Sequence, residues 1–247
     1  MKDYLTLSDD LAFYTIEGEG EHIGKPSVFL RLSNCNLTCK GFATKDSPHG
    51  CDSYVSWSKK NKYTFNELND FFARNLFVGY LERGAILKIT GGEPLLQRAA
   101  LKNWLISFTE RFGFDPRVDF ETNGTILPDD EYWSADNQRV SFTVSPKLSN
   151  NGDSLKLRYK PETIKWLSSR GACFKFVVTD QSQVTEIYEQ YINKGLISKD
   201  RVWLMPCCGS RAEHTERSQL VAELCKWNNF NFSPRLQLVI WDMALKV

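Results

Sequence analysis

Residues 27–39 read SVFLRLSNCNLTC, and residues 85–94 read AILKITGGEP. Each stretch begins with a short, mainly apolar run that is typical of a buried strand, and each continues directly into a cysteine or glycine loop. Because functional groups in parallel α/β folds gather at the carboxyl ends of the strands, we expect these two loops to lie close together. The two stretches therefore predict an α/β fold with its chemistry at the strand ends.

Helical and strand patterns alternate from about residue 27 to the end of the chain, which indicates parallel strands joined by right-handed crossovers. This order suits either an open doubly wound sheet or a partly closed barrel. Thr64 followed by Glu67 predicts a capping box and a helix from about Phe65. Further helices are expected at 101–112, 161–169, 183–192 and 213–227, and further strands at 118–121, 140–144, 174–178, 202–205 and 236–240.

Length, composition and charge are those of an ordinary globular protein. The chain has 247 residues, of which 42% are hydrophobic and 25% charged, so one large domain over 1–247 accounts for its length. Its net charge of +1 gives no field that would attract a polyanion, and no apolar stretch is long enough to span a membrane. We expect a cytoplasmic protein that binds neither nucleic acid nor membranes.

Three cysteines, Cys35, Cys39 and Cys51, lie close together in the sequence. Clustered thiols in a reducing compartment more often bind metal than form disulfides, and a soft thiolate set favours zinc or an iron–sulfur cluster. Three thiolates suit a cluster with one open iron, whereas a structural zinc ion would need a fourth ligand, which His49 could supply. Three unrelated buried thiols are the remaining interpretation, and spacing alone does not decide.

Other candidate residues are interpreted as structural. His22 and His214 have no partner motif and are expected at the surface. Trp227 falls at helical spacing and is expected in the core. The remaining cysteines lie within apolar patterns and are interpreted as buried structural thiols: Cys173, Cys207, Cys208 and Cys225.

Several short segments, taken in chain order, carry a resemblance to a known enzyme family. They are FYTIEGEGEHIG at 13–24, FLRL at 29–32, CDSYVSW at 51–57, TGGEP at 90–94, ETNGT at 121–125, SPK at 145–147 and FKFVV at 174–178. Together they resemble radical S-adenosylmethionine enzymes and, within that superfamily, the 7-carboxy-7-deazaguanine synthase family. Glu17 stands where the family usually has glutamine, and Ser53 stands where it has threonine.

The chain departs from the superfamily pattern in its cysteine loop. Eleven residues, KGFATKDSPHG at 40–50, separate Cys39 from Cys51, where two residues are common. This insertion is rich in glycine, proline, serine and aspartate, which favours a loop that bulges outward while the three thiols keep their geometry.

The resemblance implies a partial, modified (β/α) barrel of the radical S-adenosylmethionine type with mainly parallel strands. It also implies that Cys35, Cys39 and Cys51 hold a [4Fe-4S] cluster, whose open iron binds S-adenosylmethionine. Ser53 would place an oxygen near Mg²⁺, and Glu121 would accept a ribose hydroxyl. The other residues expected to contact S-adenosylmethionine are Gly50, Asp52, Gly91, Gly92, Ser145, Pro146 and Lys147.

Arg31 is the strongest candidate for substrate binding. It lies on an otherwise apolar strand, where an unpaired charge would be costly. Its partner is either a substrate carboxylate, which suits the planar guanidinium, or an internal salt bridge. By resemblance, the substrate's pterin ring would be held by the backbone of Ile16, Glu17, Gly18 and Thr90.

The family implies one reaction for this chain. Reductive cleavage of S-adenosylmethionine yields a 5′-deoxyadenosyl radical, and 6-carboxy-5,6,7,8-tetrahydropterin becomes 7-carboxy-7-deazaguanine with loss of ammonia, in queuosine-type deazapurine biosynthesis. The chemistry belongs to the cofactor, so no catalytic side chain is assigned. An external electron donor and a homodimer are also implied.

Two alternatives stay open. Another small radical enzyme, such as a glycyl-radical activase, would share the cluster and GGEP, but the early GEG segment, Arg31 and SPK argue against it. A zinc-stabilised binding module built on the three cysteines and His49 would leave GGEP and ETNG unexplained.

Overall fold

A sheet of nine strands runs through residues 2–128 and 139–244, the part of the chain that this computed structural model describes. The spatial order of the strands is β3-β1-β2-β4-β5-β6-β7-β8-β9. They are β1 (Tyr4–Ile16), β2 (Pro26–Leu32), β3 (Asn61–Thr64), β4 (Ile86–Gly91), β5 (Val118–Thr122), β6 (Val140–Val144), β7 (Cys173–Val178), β8 (Val202–Pro206) and β9 (Asn231–Phe232).

The sheet is mostly parallel and open. β1 pairs antiparallel with both β2 and β3, whereas every pairing from β2 through to β9 is parallel. β3 and β9 form its two edges. This arrangement agrees with the predicted partial barrel, and it brings the carboxyl ends of β2, β4, β5 and β6 to one side. A single domain over 1–247 stays a prediction.

Helices connect the strands, and the predicted capping box is confirmed. Glu67 N donates to Thr64 Oγ1 at 3.3 Å, and Thr64 N donates to Glu67 Oε2 at 2.8 Å. None of the helices among the described residues is long and apolar enough to cross a membrane. The helices are α1 (Tyr54–Trp57), α2 (Phe65–Arg74), α3 (Phe77–Glu82), α4 (Arg98–Phe112), α5 (Leu155–Arg158), α6 (Pro161–Ser169), α7 (Gln181–Ile187), α8 (Arg211–Asn228) and α9 (Leu236–Trp241).

The strand predicted at 236–240 is wrong, because these residues form α9. The last strand is instead β9, whose two residues pair with β8. Pro234 follows β9 and has no N–H to donate to a ladder, so the strand ends there. A short apolar run suits either a strand or a buried helix, and its periodicity cannot separate the two.

The predicted burial of three side chains, Trp227, His22 and His214, is wrong. Trp227 is 70% exposed, because α8 buries Val221 and Leu224, and Trp227 lies off that face at the end of the helix. His22 and His214 are both buried. His22 Nε2 lies 3.7 Å from a carboxylate oxygen of Asp119, and that buried carboxylate explains its position.

Candidate active site

A cavity of about 410 Å³ lies at the carboxyl ends of the parallel strands. A smaller cavity of about 110 Å³, which shares part of this wall, is lined by Gly50. Pro146 is buried and lines neither cavity. The other predicted site residues all line the larger cavity: Ile16, Glu17, Gly18, Arg31, Cys35, Cys39, Cys51, Asp52, Ser53, Thr90, Gly91, Gly92, Glu121, Ser145 and Lys147.

The three clustered cysteines line the same cavity, and each carries a free thiol. Cys39 is buried, whereas Cys35 and Cys51 are half-buried. Burial raises the pKa of Cys35 to about 11 and that of Cys51 to about 12, and it also raises the pKa of Cys39. These thiols therefore stay protonated at neutral pH until a bound cation stabilises the thiolate form.

Three cysteine thiols on the walls of one cavity match the donor set of a [4Fe-4S] cluster with one open iron. Among the residues that the structure describes, no three His, Cys, Asp or Glu side chains form a group that could hold one metal ion. His49 is exposed and stacks on Tyr54, with ring centroids 5.3 Å apart. A four-iron cluster takes each cysteine thiolate on a separate iron.

The two ends of the insertion at 40–50 are closely packed, while residues 40, 41, 43, 45, 48 and 49 are exposed. A Cβ on Gly41 would come 2.2 Å from the carbonyl oxygen of Asn150. Gly50 has a φ of 82°, and a Cβ there would lie 2.4 Å from the Cys39 carbonyl oxygen. Only glycine closes the loop in this conformation.

Gly91 and Gly92 seat the start of the cysteine loop. A Cβ on Gly91 would lie 2.2 Å from the carbonyl oxygen of Leu32, and one on Gly92 would lie 1.9 Å from that of Asn34. The family resemblance implies that these glycines contact S-adenosylmethionine. The structure adds a second cause, because the backbone that leads into the cysteine loop crosses directly over them.

Glu93 links the GGEP and ETNG segments. It is fully buried, and its carboxylate accepts hydrogen bonds from Leu95 N at 2.9 Å, Thr122 Oγ1 at 2.8 Å and Asn123 N at 2.7 Å. Burial raises the pKa of Glu93 to about 7. The carboxylate thus fixes the end of β5 against the end of β4, where the GGEP and ETNG segments meet.

Lys147 and Asp52 face the cavity from opposite loops. The Lys147 ammonium donates to Ser145 Oγ at 2.7 Å, and the residue is half-buried in the cavity wall. Asp52 accepts from Ser53 Oγ at 3.1 Å and from Arg235 at 2.5 Å. Lys147, Asp52 and Ser53 therefore bring an ammonium group and hard oxygens to the cavity that the three cysteines line.

Arg31 has no carboxylate partner within 4.0 Å among residues 2–128 and 139–244. Its guanidinium donates to Ser56 Oγ at 3.2 Å and lies 5.5 Å from the centroid of the Phe13 ring. The internal salt bridge is therefore not found in this part of the chain. The remaining N–H groups are available to a ligand in the cavity.

A buried ion cluster that the sequence patterns did not indicate lies below the cavity. Lys88, in the middle of β4, contacts Glu17 at 2.7 Å and Asp119 at 2.6 Å. Burial by itself would lower the pKa of Lys88, but the two carboxylates outweigh it and hold that pKa well above its ordinary value. Burial raises the pKa of Glu17 despite Lys88. The Glu17 side chain is thus committed to the protein interior.

A second buried cation, Lys175 on β7, forms ion pairs next to this cluster. It contacts Glu121 at 2.7 Å and also pairs with Glu19. Glu121 accepts a further hydrogen bond from Thr90 Oγ1 at 2.9 Å, so the residue expected to bind ribose already has two protein partners. Arg235 reaches Glu19 at 3.0 Å from the segment before α9. Lys88 and Lys175 each interrupt an apolar strand, as Arg31 does, and that signal could have indicated them.

Comparison with known proteins assigns this arrangement to a family. The chain is 35% identical over 240 residues to the 7-carboxy-7-deazaguanine synthase of Hyperthermus butylicus, covering 92% of this chain and 90% of that protein. The chain belongs to the 7-carboxy-7-deazaguanine synthase family. The synthases of Pyrobaculum aerophilum and Halobacterium salinarum are each 32% identical to it, covering 94% of this chain and 93% and 89% of theirs.

The fold comparison agrees with this family assignment. The crystal structure of QueE from Escherichia coli matches with a TM-score of 0.65 and 20% identity, covering 93% of each chain. No family model matches the sequence. The resemblance seen in the motifs, the partial barrel and the predicted enzyme class, a radical S-adenosylmethionine lyase, are confirmed. Membership of the 7-carboxy-7-deazaguanine synthase family implies a [4Fe-4S] cluster and S-adenosylmethionine as cofactors.

Proposed function

We propose that the chain converts 6-carboxy-5,6,7,8-tetrahydropterin into 7-carboxy-7-deazaguanine with loss of ammonia, in deazapurine biosynthesis. One observation carries the proposal: three cysteines, Arg31 and Lys147 line the same cavity at the ends of parallel strands. Relatives aligned over more than nine-tenths of the chain bear the name of this synthase. A cytoplasmic location, an external electron donor and a homodimer are parts of the same proposal.

The proposed cluster ligands are Cys35, Cys39 and Cys51. When bound, the cluster and S-adenosylmethionine supply the radical that abstracts hydrogen from the substrate. The protein's part is to hold these groups in register and to exclude water. The ammonium of Lys147, held by Ser145, offers a point charge to a cofactor carboxylate. The further residues proposed to contact S-adenosylmethionine are Gly50, Asp52, Gly91, Gly92 and Pro146.

Arg31 is the proposed anchor for the substrate carboxylate. Its planar guanidinium presents several N–H donors, and two parallel bonds to a carboxylate are both stronger and more selective than one. The Phe13 ring supports one face of the guanidinium and Ser56 holds one nitrogen, so little side-chain freedom is lost on binding. This pre-organisation favours a bound anion at the cavity wall.

The pterin ring is proposed to lie against the backbone of Ile16, Glu17, Gly18 and Thr90. The carboxylate of Glu17 pairs with Lys88, so we propose that this residue contacts the ligand through its backbone. Ser53 Oγ, which donates to Asp52 at 3.1 Å, is a hard oxygen that suits Mg²⁺, because that ion prefers oxygen ligands and retains several waters. Mg²⁺ at Ser53 is therefore part of the proposal.

Product formation tests the proposal. Protein reconstituted anaerobically with iron and sulfide is incubated with the carboxytetrahydropterin, S-adenosylmethionine, Mg²⁺ and dithionite, and products are identified by mass spectrometry. We expect 7-carboxy-7-deazaguanine and 5′-deoxyadenosine. Formation of 5′-deoxyadenosine without the deazaguanine, by protein with a full cluster, would defeat the assignment of substrate.

A further inference from the structure

Each sulfur of the clustered cysteines has its own side-chain N–H donor. The three donors come from three separate segments: the helix after the cysteine loop, the turn after β5 and the loop after β6. The donor–sulfur pairs are Trp57 Nε1 to Cys51 at 3.4 Å, Asn151 Nδ2 to Cys39 at 3.7 Å, and Asn123 Nδ2 to Cys35 at 3.9 Å.

Trp57 makes the shortest of these contacts, and among the described residues the sulfur of Cys51 is the hydrogen-bond partner of its Nε1. An indole has one N–H donor and no acceptor, and its partner here is the sulfur of Cys51. The backbone at Trp57 is fixed on both sides, since its N–H donates to Ser53 O at 3.0 Å and its carbonyl accepts from Asn34 N at 3.1 Å. Tyr54 packs edge-on against the indole, with ring centroids 5.1 Å apart.

The two asparagines are also held in an orientation that points an N–H group at sulfur. Asn151 Nδ2 donates its other hydrogen to the Asp153 carboxylate at 2.8 Å, and Asp153 N donates to Asn151 Oδ1 at 2.9 Å. Asn123 Oδ1 accepts from Thr125 N at 3.0 Å, which directs its NH₂ group toward the cysteine loop. Neither amide can turn its oxygen to the sulfur without losing these bonds.

We propose that Trp57, Asn123 and Asn151 set the reduction potential of the iron–sulfur cluster, with Trp57 acting through Cys51. This inference rests on the proposed assignment of the cluster to the three cysteines. Reduction adds one electron, taken from a low-potential reductant, to the cluster and makes or breaks no bond. The positive end of an N–H dipole at a ligating sulfur stabilises the more negative, reduced form, so each donor raises the potential.

The substitution Trp57→Phe tests the proposal, because it removes the N–H and keeps an aromatic ring against Tyr54. Trp227→Phe is the matched control, since Trp227 is 70% exposed on α8. Both variants and the full-length parent are reconstituted, their iron and sulfide are counted, and the cluster is titrated anaerobically with electron paramagnetic resonance detection. At the parent's midpoint we expect the ratio of reduced to oxidised cluster in Trp57→Phe to fall about threefold or more, where tenfold corresponds to about 59 mV. Trp227→Phe should titrate as the parent does.

The outcomes separate this inference from the proposed function. A parent protein that forms no cluster on the three cysteines would contradict the proposed function itself. A fully loaded Trp57→Phe protein with an unchanged potential would overturn the role of Trp57. If Trp57→Phe fails to bind the cluster, the parent protein is labelled with indole-¹⁵N tryptophan. Pulsed electron paramagnetic resonance then shows whether an indole nitrogen lies next to the cluster. We expect a ¹⁵N coupling to the reduced cluster that persists in labelled Trp227→Phe, and its absence from the parent would also overturn the inference.

Discussion

Lys88 is 2% exposed in the middle of a central strand, and two carboxylates surround its ammonium. Removing three charges from water is expensive, and only their mutual attraction and hydrogen bonding repay that cost. Asp119 is further satisfied by Ser141 Oγ at 2.8 Å and Thr143 Oγ1 at 2.9 Å. The cluster is therefore stable only while all of its members are present.

We predict that Lys88→Met lowers the free energy of unfolding by about 3–5 kcal/mol, because it leaves Asp119 and Glu17 buried without a cation. Urea denaturation of the apoprotein measures the change. Lys226→Met is the control, since the Lys226 side chain is 69% exposed and its pair with Glu223 contributes at most about 1 kcal/mol. Equal effects of the two substitutions would show that the buried cluster does not stabilise the fold.

Arg31→Lys is predicted to affect substrate binding far more than stability. The substitution keeps a positive charge but loses the planar pair of donors, and a hydrogen bond to a charged group contributes about 1.5–3 kcal/mol. We therefore expect KM for the carboxytetrahydropterin to rise about 10- to 100-fold. Steady-state kinetics measure it, with Arg111→Lys on the surface as control. An unchanged KM would remove Arg31 from the substrate site.

Sequence patterns predict part of the environment of three charged residues, Arg31, Lys88 and Lys175. All three are charged residues in apolar strands, and the cost of burying a charge predicts that each has a partner. The strand pattern does not say whether that partner is a ligand or the protein. The choice depends on residues such as Asp119 and Glu121, which reach the same layer only because β4, β5 and β7 belong to one parallel sheet.

At the scale of elements, Asp153 ties the cysteine loop to the loop after β6. Its carboxylate accepts from Thr38 N at 3.0 Å and from Cys39 N at 3.1 Å. Partial burial would raise the pKa of Asp153, but these hydrogen bonds outweigh it and lower that pKa below its ordinary value. The Asp153 carboxylate therefore stabilises the fold at pH values above its pKa in the unfolded chain. This contribution is lost as pH falls through the lower pKa of the folded protein.

We predict that Asp153→Ala loosens the cysteine loop without unfolding the sheet. The amide hydrogens of Thr38 and Cys39 should exchange about tenfold faster, since each loses a hydrogen bond of about 1 kcal/mol or more. Hydrogen–deuterium exchange with peptide-level mass spectrometry measures this change. The matched control is Asp180→Ala, which removes the cap of α7 and should accelerate exchange there instead. Unchanged exchange at Thr38 and Cys39 would contradict the role of Asp153.

Elements were predictable where their local signals were strong. The capping box at Thr64 and Glu67 marks the start of α2 correctly, because both of its bonds form between residues three positions apart. The run at 236–240 carries no such signal. It forms α9, whose first residue makes a contact between distant parts of the chain: Leu236 N donates to Gly18 O at 3.0 Å.

At the scale of the whole molecule, Glu19 joins three distant segments. It pairs with Lys175 on β7 and Arg235 before α9, and it accepts from Gln237 at 2.7 Å. Burial would raise the pKa of Glu19, but Lys175 and Arg235 outweigh it and lower that pKa to about 2. These contacts connect the loop after β1 with β7 and α9, and Glu19, Arg235 and Gln237 all line the cavity.

We predict that Glu19→Gln makes the protein less sensitive to acid. The carboxylate of Glu19 stabilises the fold above pH 4.5, and this contribution is lost as pH falls toward about 2. The difference in unfolding free energy between the parent and Glu19→Gln should therefore shrink by about 2 kcal/mol between pH 6 and pH 3. Urea denaturation at the two pH values measures it. A difference that stays constant, or grows in acid, would contradict the assigned ionisation.

The parallel order and the clustering of motifs at strand ends follow from local patterns, so the general position of the site was predictable. The contacts that complete the site were not. Glu19 and Arg235 are more than two hundred positions apart, and the insertion at 40–50 rests on a loop near Asn150. Such contacts depend on how the strands are arranged in the sheet, which no local pattern specifies.

Iron content and electron paramagnetic resonance after anaerobic reconstitution show whether Cys35, Cys39 and Cys51 hold a [4Fe-4S] cluster. They are compared among the parent and the substitutions Cys35→Ser, Cys39→Ser and Cys51→Ser, with Cys225→Ser, a buried thiol of α8, as control. The parent and Cys225→Ser are predicted to bind about four irons and to give the signal of a reduced [4Fe-4S] cluster, and each of the other three is predicted to lose most of it. A parent that binds a single zinc ion tightly and never forms the cluster, or a signal that survives loss of these cysteines, would contradict the assignment of the cluster to Cys35, Cys39 and Cys51.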